Sequence, residues 1–269
     1  MQKRLKLALC ALLAAALSVM LWQAMRPPGP AEPLYQGKPL SEWLKAYQLT
    51  EAMRMADLEA QQQKADEAVR HAGTNALPTL LRMLRAKDSA LKIQFMHLAR
   101  RQNIFRIQCT PADERNDAAL RAFKVLGVSA QSVVPALIEI ADQDISPVSH
   151  YSAIDALGCI GPAASEAVPA LLQWATNGDP TLRWHAMNAL GEIGAEPDRV
   201  VPVLINGLRD PNTRPSAAFA LGKFGPDAKP AIAALTVFLD SRKDTTDKSV
   251  YTNALKLIDT EAAAKAGLK

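Results

Sequence analysis

One phrase recurs along this chain and limits what it can fold into more than any other feature. Ala156-Leu157-Gly158-Cys159-Ile160-Gly161-Pro162 returns as Ala189-Leu190-Gly191-Glu192-Ile193-Gly194 and again as Ala220-Leu221-Gly222-Lys223-Phe224-Gly225-Pro226. Val125-Leu126-Gly127 reads as a shortened earlier copy, which places the glycines after Leu at 127, 158, 191 and 222. A second phrase alternates with the first: Val134-Pro135-Ala136-Leu137, Val168-Pro169-Ala170-Leu171 and Val201-Pro202-Val203-Leu204. Leu77-Pro78-Thr79-Leu80 precedes these, and Ile232-Ala233-Ala234-Leu235 follows without the proline. Self-similarity at a period of some thirty residues marks a stacked array, in which each unit buries its apolar face against its neighbours.

Residues 179–208 show the physics of one unit. Asp179 is a good N-cap and Pro180 a good first helical residue. Leu182, Ala186, Ala189, Leu190 and Ile193 recur at helical spacing and make one apolar face. Gly191 and Gly194 are expected to release the chain from the helix, and a second helix is expected from Pro202, burying Val203, Leu204 and Leu208. A small residue recurs where first helices should cross, at Ala122, Ala153, Ala186, Ala217 and Ala254. A large side chain in that column would push the stack apart.

The two phrases together resemble HEAT repeats, of the short type called phycobilisome-lyase-like. The resemblance implies an all-α chain, a right-handed α-solenoid of helical hairpins. Asp179-Pro180-x-x-Arg183 and Asp210-Pro211-x-x-Arg214 resemble the family's ladder, in which loop Asp and helix Arg bond between neighbouring repeats. His150 and Tyr151 replace the Arg region one repeat earlier, so the ladder is expected to be incomplete there. Regular repeats are expected over 112–258, a degenerate repeat over 65–86 and an off-period insertion over 88–110, in which Asp88 could cap a helix through Leu91. Leu34 to Leu44 resembles a lead-in segment seen before HEAT repeats in some exported proteins. Ser41 would cap its helix, and Trp43, Leu44 and Tyr47 would cover the open end of the stack.

The solenoid is assigned to 40–269. Before it come a signal anchor at 1–26 and a Pro/Gly-rich linker at 27–39. Lys3, Arg4 and Lys6 precede an apolar run from Leu7 to Trp22, and Pro27, Pro28, Gly29 and Pro30 follow it. A basic flank before an apolar run is the secretory arrangement and keeps the N-terminus cytoplasmic. No small–x–small cleavage site lies at the far end of the run, which favours an uncleaved membrane segment through residues 7–24 over a cleaved signal and a secreted chain. The repeats would then face an extracytoplasmic compartment, the periplasm in a Gram-negative cell. The four basic residues of 1–30 supply the whole net charge of +4, so the remainder is formally neutral and its basicity says nothing of nucleic acid.

Catalytic patterns are hard to find. His71, His97, His150 and His185 lack the His-Glu pairing that di-iron hydroxylases on HEAT-like repeats use, and no metal or cofactor is expected. Cys109 and Cys159 are expected near opposite ends of roughly parallel helices, ~15 Å apart, too far for a disulfide. No P-loop, Gly-x-Ser-x-Gly or dinucleotide fingerprint appears. The partner-binding candidates are Tyr151 and Trp184, at matching places in adjacent repeats, with Trp174, which could equally pack between repeats. A basic cluster containing Arg82, Arg85, Arg100 and Arg101 is the other candidate surface. The expected function is a non-enzymatic scaffold for a protein partner. An enzyme or accessory subunit using the concave groove, and nucleic-acid binding by that face, are the alternatives.

Overall fold

The computed structural model describes residues 31–47, 55–101, 110–143, 145–177, 179–240 and 248–265. The apolar segment at 7–24 lies outside them. Residues 34–39, assigned above to a linker, form a small antiparallel pair of strands, β1 (Leu34–Tyr35) and β2 (Lys38–Pro39). Among the described residues five helical hairpins follow. They are α2 (Met55–Ala72) with α3 (Leu77–Leu84), α5 (Ala112–Leu126) with α6 (Val134–Asp142), and α7 (Pro147–Ile160) with α8 (Val168–Ala175). The last two are α9 (Pro180–Ile193) with α10 (Pro197–Gly207) and α11 (Arg214–Phe224) with α12 (Ile232–Asp240). Helix α1 (Leu40–Trp43) leads in, α4 (Ala90–Arg101) interrupts, and α13 (Lys248–Ile258) and α14 (Thr260–Lys265) close the series.

The helices form a solenoid because each hairpin leaves one side for the next. First helices α5, α7, α9, α11 and α13 pack on one another in order, and each second helix from α6 to α12 packs on the first helix that follows it. One apolar core runs unbroken from Leu40 to Ala263. Ala112–Asp142 is apolar enough by composition to suggest a membrane span, but Gly127 divides it into the two helices of a hairpin.

The repeat register differs from the expected one at its first glycine. Gly127, Gly161, Gly194 and Gly225 are the C-caps of α5, α7, α9 and α11, all with positive φ. Gly127 is therefore the counterpart of Gly161, not of Gly158. Ala122 and Ala254 move with it into the column of Ala156, Ala189 and Ala220, beside that of Ala153, Ala186 and Ala217. All five alanines of the expected column are buried.

Gly191, expected to release the chain, lies within α9 instead. Its role is close approach: a Cβ there would stand 2.7 Å from the Ala220 Cα on the next first helix. Gly158 faces Ala189 (3.2 Å) and Gly222 faces Ala254 (3.1 Å) in the same manner. The tightest crossing thus sets a glycine of one repeat on an alanine of the next.

Helix α10 starts at Pro197 rather than near Pro202. Its turn is shorter than in the other repeats, with Glu196 in the left-handed region, so Pro202 falls inside the helix. Val200, Val201, Leu204 and Leu208 are buried, while Val203 is only half-buried.

The lead-in also differs in detail. Ser41 lies inside α1, and its amide donates to the Glu32 carboxylate (3.1 Å), so Glu32 satisfies the helix start in place of a Ser41 cap. Leu44 and Tyr47 are buried against α2 and α5, and the Tyr47 hydroxyl donates to Asp66 (2.5 Å).

Helix α4 is not part of the stack, because α3 packs directly on α5. Two buried side chains tie off the end of α3: the Asn116 amide donates to Met83 O (2.5 Å) and Ser149 Oγ to Leu84 O (2.5 Å). Asp88 closes the base of the excursion. It accepts from the Ala112 amide (2.7 Å), Lys92 Nζ (2.5 Å) and Arg115 (3.2 Å). Asp88 therefore serves the start of α5, and Ser89 Oγ accepts from the Lys92 amide at the start of α4. Burial alone would raise the Asp88 carboxyl, but the bonds from Lys92 and Ala112 and the charges of Lys92 and Arg115 hold it below the usual carboxylate range.

Two expectations follow from these contacts. Gly191→Ala should cost about 1–3 kcal/mol by overpacking against backbone and exceed the cost of Gly158→Ala, read from urea unfolding monitored by circular dichroism. Asp88→Ala should lower stability by roughly 1–3 kcal/mol at neutral pH, because it leaves the buried Ala112 amide without its acceptor and two cations without their shared carboxylate. A depressed native pKa gives stability present above the unfolded value near 3.9 and lost as pH falls through the native one. The gap between wild type and Asp88→Ala should therefore stay constant from about pH 6 to 8 and narrow below about pH 4.

Candidate functional site

The ladder residues come from the N-terminal ends of successive first helices. Asp179 sits in extended conformation before α9, and its carboxylate accepts from the Thr181 amide (2.9 Å), capping the helix as expected. The rung itself is formed from the neighbouring repeat. Arg183 donates to Asp210 (2.5 Å), and Asp210 also accepts from the Asn212 amide (2.9 Å). Arg214 turns to its own loop, donating to Leu208 O (2.7 Å) and lying 4.4 Å from the Phe238 ring.

Where an incomplete rung was expected, Tyr151 supplies it. Its hydroxyl donates to the second oxygen of Asp179 (2.9 Å), spanning the same repeat-to-repeat step as Arg183 to Asp210. The amide of Thr181 and the Tyr151 hydroxyl hold the Asp179 carboxyl below the usual range. Asp210 is lowered by the Asn212 amide and, against some desolvation, by Arg183. Burial and then the bond to Asp179 push the Tyr151 phenol up.

Tyr151 and Trp184 meet through a third residue that the sequence did not single out. The His185 ring stacks on Tyr151 (4.8 Å between centroids, 4° between planes), and Trp184 meets it edge-on (4.7 Å). His185 Nδ1 is 2.7 Å from Asp155 on α7, which fixes the ring. Trp184 is 42% exposed. Trp174 is only 5% exposed and packs edge-on to His150 (6.1 Å), so it works between repeats and offers no surface.

A trough of about 740 Å³ crosses the face made by α5, α7, α9 and α11. Gly158 and Ala189 lie along it, the small residues of the helix crossings. Trp184 and Phe219 stand beside it, both about two-fifths exposed. Phe219 was missed, yet a signal for it exists: in the corrected register its column holds Arg121, Asp155 and Asn188, so an aromatic there is out of pattern. Cys159 also lines the trough and is a half-buried free thiol, pushed up to about 11 chiefly by burial and then by Asp155. Cys109 lies outside the described residues.

The basic cluster is less open than its composition suggests. Arg82 is paired with Glu32, and Arg85 with Glu139 (3.4 Å). Lys92 belongs to the Asp88 knot. Arg100 and Arg101 lie on α4, but their side chains are outside the described residues.

The Tyr151 rung can be isolated by a double-mutant cycle. Asn is a good N-cap, so Asp179→Asn keeps the start of α9 while weakening the rung. Tyr151→Phe should cost about 0.5–1.5 kcal/mol. Its coupling to Asp179→Asn should be at least ~0.5 kcal/mol by thermal unfolding, against none with the distant Lys223→Ala.

Residues 134–213 and 168–256 match a family model of HEAT repeats. No curated protein matches the chain.

Proposed function

We propose, for a chain whose residues 134–256 are HEAT repeats, a non-enzymatic protein-binding scaffold, tethered to a membrane through residues 7–24 with its repeats outside the cytoplasm. The observation that carries the binding reading is the trough across four successive first helices, with Trp184 and Phe219 exposed beside it. Exposed aromatics next to a rigid concavity are what a partner side chain can bury against. Arg183 and Asp210 are engaged with each other and Asp179 with Tyr151, which supports a holding role for them rather than a reacting one. Cys159, its thiol raised by burial, is poorly suited to act as a nucleophile at neutral pH. With Arg82 and Arg85 bound to acids of this same chain, the aromatic side chains are the better partner contacts.

The tether rests on the basic flank and apolar run of the N-terminal segment. Cross-linking in intact cells, followed by immunoprecipitation from solubilised membranes, should recover one partner in stoichiometric amount. Repeated recovery of none would sink the scaffold reading. Fractionation with N-terminal sequencing checks the tether separately: a soluble protein beginning after residue 24 would remove it.

A further inference from the structure

We propose that the trough takes an extended peptide of about eight residues, with carboxylates at one end and bulky apolar side chains at the other. The carboxylates would sit on Arg121 and Lys124 of α5, and the apolar side chains on Trp184 and Phe219. The proposal rests on the scaffold reading and specifies the chemistry of its partner.

Charge is the first support. The trough holds acids as well as bases, at different places along it. Asp155, 2.7 Å from His185 Nδ1, and Glu192, paired with Lys223 (3.0 Å), lie on α7 and α9. Arg121 and Lys124 are exposed, and neither makes an ion pair among the described residues. Asp117, one turn before Arg121, feels the charge of Arg121 but forms no ion pair with it among the described residues. The Arg121 guanidinium lies 5.9 Å from the Tyr47 ring, a contact that leaves its hydrogen-bond donors available. The cations lining the trough are therefore confined to its α5 end.

Shape gives the rest. Past Gly158 and Ala189 the lining turns to the exposed rings of Trp184 and Phe219, on α9 and α11. Neighbouring helix axes lie about 9 Å apart, so three steps from α5 to α11 span about 27 Å, the reach of about eight extended residues. Asp155 and Glu192 stand between the two ends, where they repel a carboxylate placed mid-peptide. The same pair thus sets the register of its ligand.

The test uses the full chain in detergent micelles and fluorescence anisotropy. The probe is a fluorescein-labelled octapeptide with two Glu at one end, two Leu at the other and Gly/Ser between, made in both chain directions. One direction should bind saturably, at least tenfold more tightly than a peptide of the same composition with its Glu residues in the centre. Binding should weaken as salt rises. Arg121→Glu with Lys124→Glu, and separately Trp184→Ala with Phe219→Ala, should each lower affinity at least tenfold, and Arg209→Glu should not. Matching circular dichroism spectra and Tm for all variants would place the loss at the site rather than in the fold. Absence of saturable binding in both directions, equal binding of the centred peptide, or indifference to the α5 reversals overturns the proposal. A cellular partner recovered equally by wild type and the α5 double variant also overturns it, while the scaffold reading stands. Peptide binding without any stoichiometric cellular partner does the reverse.

Discussion

The contact on which the stack depends is a glycine of one first helix set against an alanine of the next. At Gly191 the space left for a side chain is gone: a Cβ would stand 2.7 Å from the Ala220 Cα. Helices that approach this closely bury the backbone of both, and the larger side chains are then free to fill the space between the layers. Leu157, Leu190 and Leu221, each beside one of these glycines in sequence, are fully buried. Interiors packed at crystal-like density accept little change in volume, so the period of the repeat is held by its smallest residues.

Given that spacing, the rungs at the helix starts can vary in chemistry. Arg183 reaches Asp210 with a guanidinium, and Tyr151 reaches Asp179 with a phenol. Both span one repeat because the first helices hold their ends at a common distance. The phenol carries a flat ring, and His185 stacks on it, so the substitution that alters the rung also starts the aromatic cluster ending at Trp184. Backbone donors, Thr181 for Asp179 and Asn212 for Asp210, keep both acids ionised whichever partner they face.

The excursion at 85–111 illustrates how an array tolerates an insertion. Its two ends are brought together at Asp88, and α3 meets α5 as though nothing stood between them. An insertion costs little once its ends are joined, since closure entropy grows slowly with length. Buried Asn116 and Ser149 then satisfy carbonyls at the end of α3 that would otherwise lack partners.

The sequence by itself determined the hairpin array, because a periodic apolar face, its caps and its prolines are local properties that repeat in register. Asp179 as a cap, the buried face from Leu182 to Ile193 and the bond from Arg183 to the next repeat were all legible in this way. Only the tertiary structure decided which glycine does what, since Gly191 and Gly194 look alike in the chain and differ in what lies opposite them. It also decided which charges remain available. Arg82 and Arg85 read as a surface patch until Glu32 and Glu139 fold onto them, while Arg121 and Lys124 drew no notice and make no ion pair among the described residues. Pairing depends on residues distant in sequence, and the trough exists only where four repeats lie side by side.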